Sequence, residues 1–167
     1  LTALWTQIAN AFIDYDEHLL FAGLNEPNAE NKAATDNLIQ YNQTFVDAVR
    51  ATGGNNAKRI LVVQGPSTNI DHTCNFMAGK MPTDIVEGRL AIEVHYYNPW
   101  QFWGMENDES WGSVFYYWGE GNHHEGSKHN ATWGEEEDMQ KQLAKMSTLF
   151  VDKGYPVVIG EFGANWR

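Results

Sequence analysis

The sequence predicts an α/β domain built on parallel β-strands. Four short apolar runs of four to six residues have the length and character of buried strands. Segments with helical or loop patterns separate these runs, and such alternation implies parallel pairing through right-handed crossovers. A chain of 167 residues suits a single domain over residues 1–167. The four βα units fit either an open sheet or one half of a (β/α)8 barrel, because a complete barrel takes about 250 residues.

The first two helices are predicted from apolar spacing. Apolar residues follow a helical pattern from the start of the chain, at Leu1, Leu4, Trp5, Ile8 and Phe12. No capping residue precedes them, so we expect the chain to begin within a larger protein. A second helix is predicted from about Thr35 to Gly53-Gly54, with one apolar face comprising Leu38, Ile39, Phe45, Val46 and Val49.

The four predicted strands cover residues 19–24, 60–63, 90–94 and 156–159. The segment before the third strand is irregular and is predicted to hold only a short helix, over residues 69–78. The segment before the fourth strand ends in the clearest helix of the chain. There Thr132 and Glu135 match a T-x-x-E capping box, and Gly154 ends the helix. Its apolar stripe comprises Met139, Leu143, Met146 and Phe150.

Composition excludes several classes of function. The net charge of −11 argues against a nucleic-acid partner, because phosphate backbones are bound by clustered Lys and Arg. No apolar run approaches the roughly 18 residues of a membrane span, so no membrane partner is expected. Cys74 is the only cysteine, which excludes an internal disulfide and a metal site based on thiolates. A neutral polysaccharide is compatible with all three observations.

Two glutamates directly follow predicted strands. Glu26 comes after an apolar run and Asn25, and Glu161 comes after Val-Val-Ile-Gly. The carboxyl ends of parallel strands form the edge at which ligands and catalytic groups collect. One glutamate at a strand end is more often a surface residue or a helix cap. Two carboxylates brought together at this edge, however, are the groups that cleave a glycosidic bond.

The third strand adds two further polar side chains. His95 and Tyr97 are two residues apart, so they lie on one face of the strand. Each is able to hydrogen-bond a catalytic carboxylate or a sugar hydroxyl. Alone, such a pair would more often belong to the packing, and its significance comes from the two glutamates.

Three motifs in this order resemble glycoside hydrolase family 5, the large cellulase family. They are Leu-Phe-Ala-Gly-Leu-Asn-Glu-Pro at residues 20–27, His-Tyr-Tyr-Asn-Pro-Trp at 95–100 and Val-Ile-Gly-Glu-Phe-Gly at 158–163. The resemblance implies a (β/α)8 barrel that hydrolyses β-linked polysaccharides with retention. The chain is similar to strands four to seven of that barrel. It is therefore expected to be a parallel four-stranded half-barrel, a fragment of a TIM barrel and a partial catalytic domain.

The resemblance also assigns roles to the site residues. It makes Glu26 the general acid/base and Glu161 the nucleophile. Asn25 is expected to hold the sugar 2-hydroxyl beside Glu26, where contacts strengthen in the transition state. His95 and Tyr97 then end strand six, and a hydrogen bond from Tyr97 favours the ionised nucleophile. No metal and no cofactor are expected.

The family also has an Arg and a His from its early strands and a Trp after its last strand. No segment of this chain corresponds to those strands. Trp166 follows Glu161 too closely to match the family tryptophan.

The segment between the third strand and the last helix is rich in aromatic residues. It contains Trp100, Phe102, Trp103, Trp111, Phe115, Tyr116, Tyr117 and Trp118. It is either a cleft wall, because aromatic faces stack on sugar rings, or a loop that packs on itself. We expect Trp100 to line the cleft, since it follows the third strand directly, and Trp5 to lie in the core. His123, His124 and His129 lack the ligand spacing typical of a metal site.

The predicted function is hydrolysis of internal β-1,4-glucosidic bonds in cellulose or related β-glucans by a secreted, extracellular endoglucanase. The retaining route predicts that the carboxyl groups of Glu26 and Glu161 lie about 5–5.5 Å apart. The alternative is a non-catalytic carbohydrate-binding half-barrel that self-associates. A half-barrel has two unpaired sheet edges, so we expect a homodimer or a complex with a complementary half-barrel.

Overall fold

The computed structural model describes residues 1–165, so Trp166, expected not to match the family tryptophan, lies outside the described residues. The sheet has the strand order β1–β2–β3–β4, and each neighbouring pair is parallel. The strands are β1 (Phe21–Ala22), β2 (Leu61–Gln64), β3 (Leu90–Tyr96) and β4 (Val157–Phe162). The sheet curls into a half-barrel, which confirms the predicted fold class.

The first strand is much shorter than the predicted range of residues 19–24. The amide of Leu19 donates to the carbonyl of Asp16 in a turn, and the amide of Leu24 donates to the side chain of Gln64. Only Phe21 and Ala22 remain in register with β2. Leu19 and Leu24, which were predicted to be in the strand because they are apolar, therefore use their amides in hydrogen bonds outside the β1–β2 pairing.

The two predicted N-terminal helices are present. Helix α1 spans Thr2–Ala11 without a side-chain cap, and helix α2 spans Lys32–Arg50. Helix α2 begins earlier than predicted because the side chain of Asn31 accepts a hydrogen bond from the amide of Ala34, as an N-cap does. The predicted short helix over residues 69–78 is also present, as α3 (Ile70–His72) running into a π-helical turn (Thr73–Met77).

The predicted capping box at Thr132 and Glu135 is wrong. Following the short helix α4 (Trp100–Trp103), helix α5 spans Glu136–Leu149, and Glu135 is its N-cap residue without a side-chain cap. Gly134 adopts a left-handed conformation (φ +76°), so the chain turns between Thr132 and the helix. The first turn is instead held by Asp138, whose carboxylate accepts from the amide of Gly134 at 2.7 Å.

The stripe predicted for α5 is only partly buried. Met146 and Phe150 are 1% and 0% exposed, whereas Met139 and Leu143 are partly exposed. Among residues 1–165, no helix combines the length and apolar character that crossing a membrane requires.

The hydrophobic core lies between the helices and one face of the sheet. That face contributes the buried side chains Leu61, Val63, Ile92 and Val94, which pack with residues of α1, α2 and α5. Because side chains alternate along a strand, the next residues point to the opposite, inner face. The inner face carries the polar residues Gln64, Glu93 and His95. The half-barrel therefore has an apolar outer face and a polar inner face.

Arg59 fixes the connection from α1 to β1. Its side chain is buried and donates to the main-chain carbonyls of Phe12, Tyr15, Asp16 and Leu19. These four carbonyls satisfy a cation that would otherwise be costly to bury. The contact holds the start of β1, and thereby the segment that carries Glu26.

Candidate active site

Glu26 occupies a constrained turn after β1. Its φ of +39° lies in the left-handed region, which is uncommon for a residue other than glycine. The following loop is held by the segment after β2, because the amide of Ser67 donates to the carbonyl of Pro27 at 2.8 Å. Ser67 has a positive φ as well, of +50°. Backbone strain of this kind persists where the surroundings enforce it, and it is common at active sites.

Strand β3 places three polar side chains on the inner face. Glu93, His95 and Tyr97 alternate along the strand and its C-terminal extension, so they share one face. The side chain of His95 is only 4% exposed. Its Nδ1 atom lies 2.9 Å from Oε1 of Glu26 and 3.5 Å from Oε2 of Glu161. His95 thus contacts both of the predicted catalytic carboxylates.

A β-bulge in β4 orients Glu161. Val94 pairs with Ile159, but His95 pairs with Glu161, so Gly160 is the extra residue of the bulge. Without the bulge, Glu161 would pair with Tyr96 and point toward the helices. With it, Glu161 joins His95 on the inner face. Bulges commonly re-aim a side chain in this way beside an active site.

The two carboxylates lie close together. An oxygen of Glu26 and an oxygen of Glu161 are no more than 4.8 Å apart. This is near the roughly 5–5.5 Å separation of retaining glycosidases and below the roughly 6.5–9.5 Å of inverting enzymes. Their side chains are 51% and 40% exposed, so both are accessible to a substrate.

Tyr97 distinguishes the environments of the two carboxylates. Its hydroxyl donates to Oε2 of Glu161 at 2.9 Å. This hydrogen bond is the largest cause of a raised pKa of Tyr97, followed by burial and the negative charges of Glu161 and Glu26. The phenol therefore stays protonated, as a hydrogen-bond donor to Glu161.

Two site residues were not predicted from the sequence, Gln64 and Glu93. The amide of Gln64 donates to Oε2 of Glu93 at 2.7 Å, and Oε1 of Glu93 lies 3.3 Å from Nε2 of His95. The sequence signal for Glu93 is a charged residue inside an apolar strand, on the same face as His95 and Tyr97. Gln64 has a weaker signal, as an amide directly after three apolar residues.

The aromatic residues divide between cleft and core. Trp5 is buried, as predicted, whereas Trp100 is 46% exposed. The ring that packs against Tyr97 is Trp103, with centroids 4.4 Å apart, and Trp100 packs edge-on against Trp103 at 4.8 Å. Phe115 is buried in the loop. The aromatic segment thus serves partly as its own core, and Trp103 was missed because spacing alone does not reveal which ring reaches the strand end.

The other polar residues considered from the sequence occupy different positions. Asn25 is exposed next to Glu26. The three histidines of the loop do not converge, because His123 contacts Glu135, His124 contacts the carbonyl of Glu125 and His129 contacts the carbonyl of Val114. Within residues 1–165, the group whose atoms could hold a metal ion is Glu26, His95 and Glu161, which are the residues of the site itself.

Comparison with known proteins identifies relatives along the whole chain. The family model for cellulases, glycosyl hydrolase family 5, matches residues 1–166. Endoglucanase A of Paenibacillus barcinonensis is 40% identical over 176 residues, covering 96% of this chain and 42% of the relative. A xyloglucan-specific endo-β-1,4-glucanase of Bacteroides ovatus is 40% identical over 178 residues, covering 100% of this chain and 33% of the relative.

Solved structures show the same similarity. A xyloglucan-specific β-1,4-glucanase from a ruminal metagenomic library, solved in complex with XXLG, superposes with a TM-score of 0.89. It is 53% identical, and the match covers 99% of this chain and 44% of that one. A family 5 xyloglucanase from Paenibacillus pabuli gives a TM-score of 0.89 at 39% identity, with 99% and 48% covered. The chain therefore spans less than half the length of these relatives.

Proposed function

The chain belongs to the cellulase family, glycosyl hydrolase family 5, and we propose that it supplies both catalytic carboxylates of a retaining endo-β-1,4-glucanase. One observation carries the proposal: Glu26 and Glu161 approach to within 4.8 Å at the C-terminal edge of a parallel sheet. That spacing suits direct attack by one carboxylate and leaves too little room for the interposed water of an inverting enzyme.

The proposed reaction has two steps. In the first, Glu26 donates its proton to the glycosidic oxygen while the Glu161 carboxylate attacks the anomeric carbon and forms a covalent glycosyl-enzyme. In the second, Glu26 accepts a proton from water, and the water oxygen displaces Glu161 from the anomeric carbon. Both displacements invert that carbon, so the product retains its configuration. Tyr97 supports the first step, because its hydroxyl donates to the ionised nucleophile.

We propose xyloglucan, a branched β-1,4-glucan, as the preferred substrate among related β-glucans including cellulose. The relatives named as xyloglucan-specific include one at 53% identity. Both carboxylates are partly exposed, which leaves space for a glucan main chain and its side branches. In this proposal Trp100 stacks on a sugar ring, and Asn25 holds a sugar hydroxyl. Because such a polymer is too large to enter an intact cell, we also propose that the protein is secreted.

Reducing-sugar release from xyloglucan and from an unbranched soluble β-glucan tests this function. We expect release from both, faster from xyloglucan, and none from the Glu161→Gln variant, which keeps the shape of the nucleophile but not its charge. Proton NMR of the first product should show the β-anomer before mutarotation. Immediate appearance of the α-anomer would contradict retention.

A second candidate function is carbohydrate binding without hydrolysis by a self-associating half-barrel. It is favoured by the two outer strands of the described sheet, β1 and β4. Under this candidate the outer strands pair with a second copy or with a complementary half-barrel. Binding of xyloglucan by both the wild type and Glu161→Gln, with no hydrolysis by either, would favour it.

A further inference from the structure

A continuous hydrogen-bonded chain crosses the inner face and ends at Glu26. The amide of Leu24 donates to Oε1 of Gln64 at 2.7 Å, and Nε2 of Gln64 donates to Oε2 of Glu93 at 2.7 Å. Oε1 of Glu93 lies 3.3 Å from Nε2 of His95, and Nδ1 of His95 lies 2.9 Å from Oε1 of Glu26. Gln64 is 0% exposed, and the side chain of Glu93 is 15% exposed.

The backbone fixes the direction of this chain. A main-chain N–H only donates, so Gln64 must present its oxygen to Leu24 and its NH2 group to Glu93. An ionised carboxylate only accepts, so Glu93 takes one hydrogen bond from Gln64 and one from His95. The proton of a neutral His95 is therefore held on Nε2, since the hydrogen bond at one ring nitrogen determines the state of the other.

The tautomer of His95 determines what its Nδ1 atom presents to Glu26. With its proton on Nε2, a neutral His95 presents the lone pair of Nδ1 to Oε1 of Glu26 at 2.9 Å. Two unprotonated atoms would repel at that distance, so beside a neutral His95 this contact favours a proton on Glu26. Glu161 is the weaker partner of Nδ1, because its Oε2 atom lies 3.5 Å away and accepts a hydrogen bond from Tyr97.

We propose that Glu93 and Gln64 are positioning residues that hold His95 in its Nε2–H tautomer and thereby keep the acid proton on Glu26. This inference rests on the proposed function, in which Glu26 is the general acid. It explains why a carboxylate is placed behind the histidine. The arrangement gives one catalytic glutamate a proton acceptor and the other a proton donor, as the first step of retention requires.

The chemistry at position 93 predicts a distinctive variant. In Glu93→Gln, the new amide must accept from Gln64 with its oxygen, so its NH2 group faces Nε2 of His95. His95 is then expected to switch to the Nδ1–H tautomer, which donates to an ionised Glu26. In the double swap Gln64→Glu/Glu93→Gln, the amide at position 93 donates to the new carboxylate and accepts from His95 again. The double swap should therefore restore the Nε2–H tautomer of His95, although it contains the same Glu93→Gln change that alone removes this tautomer.

Nitrogen-15 NMR of the imidazole rings tests this directly, at the lowest pH at which the His95 signals are those of a neutral ring. His95 is assigned by its loss in His95→Gln. We expect the proton on Nε2 in the wild type and in the double swap, and on Nδ1 in Glu93→Gln. Glu30→Gln, at an exposed position outside the chain of contacts, should leave the wild-type tautomer unchanged. An Nδ1–H tautomer in the wild type, or a wild-type tautomer in folded Glu93→Gln, would overturn the proposal. If Glu93→Gln does not fold, the tautomer of His95 in the wild type decides between support and refutation of the proposal.

Kinetics separate this proposal from the function on which it rests. General acid–base catalysis contributes roughly 10²–10⁴-fold, so misplacing the acid proton in Glu93→Gln should lower kcat at least about tenfold with little change in KM. The double swap should recover most of kcat, which a purely structural role of Glu93 does not predict. The tautomers are measured without turnover. An inactive wild type with the expected tautomers would refute the proposed function but not the role of Glu93 and Gln64 in holding the tautomer of His95.

Discussion

Tyr97 makes the environments of the two proposed catalytic carboxylates chemically different. Its hydroxyl donates to Glu161, whereas Glu26 contacts the imidazole of His95. Retention needs this difference, because one carboxyl group must donate a proton while the other attacks as an anion. Glu93, His95 and Tyr97 of β3 and its extension alternate on one face, and the last two contact glutamates that follow or lie on two other strands.

The raised pKa of Tyr97 gives a direct test of this contact. The largest cause is the hydrogen bond to Glu161, and the negative charge of Glu161 adds to it. We expect Tyr97 to titrate above an ordinary tyrosine, and Glu161→Gln to lower its pKa. A group with a raised pKa stabilises the fold below its unfolded pKa of about 10, and that contribution is lost as the pH rises through the folded value. Carbon-13 NMR of labelled tyrosine Cζ atoms measures the titration, with Tyr97→Phe as the assignment. An unchanged pKa in Glu161→Gln would contradict the contact.

Trp100 is predicted to contribute to substrate binding. Its ring is 46% exposed and continues the aromatic surface formed by Tyr97 and Trp103. Burial of a large apolar side chain contributes about 1.5–3 kcal/mol, so Trp100→Ala should weaken binding of a xyloglucan oligosaccharide about tenfold or more. Tyr41→Ala is the matched control, because Tyr41 is also exposed, at 57%, but lies on helix α2. Calorimetry that finds equal affinities for the two variants would exclude Trp100 from the binding surface.

At the scale of secondary-structure elements, the bulge in β4 is the feature that assembles the site. Gly160 packs directly against Glu93, and a Cβ atom there would lie 1.8 Å from Oε1 of Glu93. The same glycine therefore sets the direction of Glu161 and leaves space for the carboxylate that contacts His95. The local sequence Gly-Glu-Phe-Gly is explained by this packing, in addition to the chemistry of its glutamate.

Gly160→Ala should damage the site and the fold together. A Cβ atom at position 160 would collide with the carboxylate of Glu93, and forcing in extra side-chain volume costs about 1–3 kcal/mol, so we expect a loss of that size in the free energy of unfolding, with reduced activity. Gly163→Ala is the control, because the nearest atom to a Cβ at that position is 3.9 Å away. Urea denaturation of both variants measures the difference. Equal stability of the two would show that Glu93 moves without cost.

Helix α2 is joined to the segment before β3 by a buried ion pair. Arg50 donates to both carboxylate oxygens of Asp84, at 2.9 and 2.6 Å, and each side chain is 4% exposed. Burial alone would raise the pKa of Asp84, but the hydrogen bonds from Arg50 and from backbone amides outweigh it, so the pKa is lowered. The ion pair therefore ties the outer helical layer to the sheet in a state that needs an ionised aspartate.

Asp84→Asn should reduce stability in a pH-dependent way. Removing one partner of a buried pair costs about 3–5 kcal/mol, because the remaining charge is left uncompensated. A lowered carboxyl pKa contributes stability above the unfolded pKa of about 3.9, and this is lost as the pH falls through the folded value. The difference between wild type and variant should therefore shrink in acid. Asp36→Asn, in an exposed pair with Lys32, should cost much less than Asp84→Asn. A cost for Asp84→Asn that does not change with pH would contradict the lowered pKa.

The sequence predicted the order and approximate position of the elements, because apolar runs and helical spacing depend on burial alone. It failed where a side chain competes with the backbone, as when Gln64 takes the amide of Leu24 and shortens β1. It also failed at Thr132, where a left-handed Gly134 separates the capping motif from its helix. The bulge at Gly160 was not predictable, since it is defined by the pairing of β4 with β3.

At the scale of the whole molecule, the two faces of the half-barrel differ in what covers them. Helices cover the outer face, whereas the inner face holds the polar residues of the site. Apolar side chains are exposed beside the sheet edges, namely Leu20 directly before β1 at 43%, and Ile159 at 38% and Phe162 at 75% in β4. Outer strands of this kind present unpaired backbone groups that pair with other chains. This surface is the one proposed above to meet a second copy or a complementary half-barrel.

Self-association is therefore predicted to depend on the outer strands. Sedimentation of the protein, whose mass is 18.9 kDa, should show a species of at least twice that mass at high concentration. A charged side chain on an outer strand opposes edge pairing, so Phe162→Lys should shift the equilibrium toward the monomer. Ile85→Lys is the control, because Ile85 is 87% exposed but lies in the loop before β3. If the wild type remains a folded monomer at every concentration, the outer strands need no partner. If both variants dissociate equally, the association uses another surface.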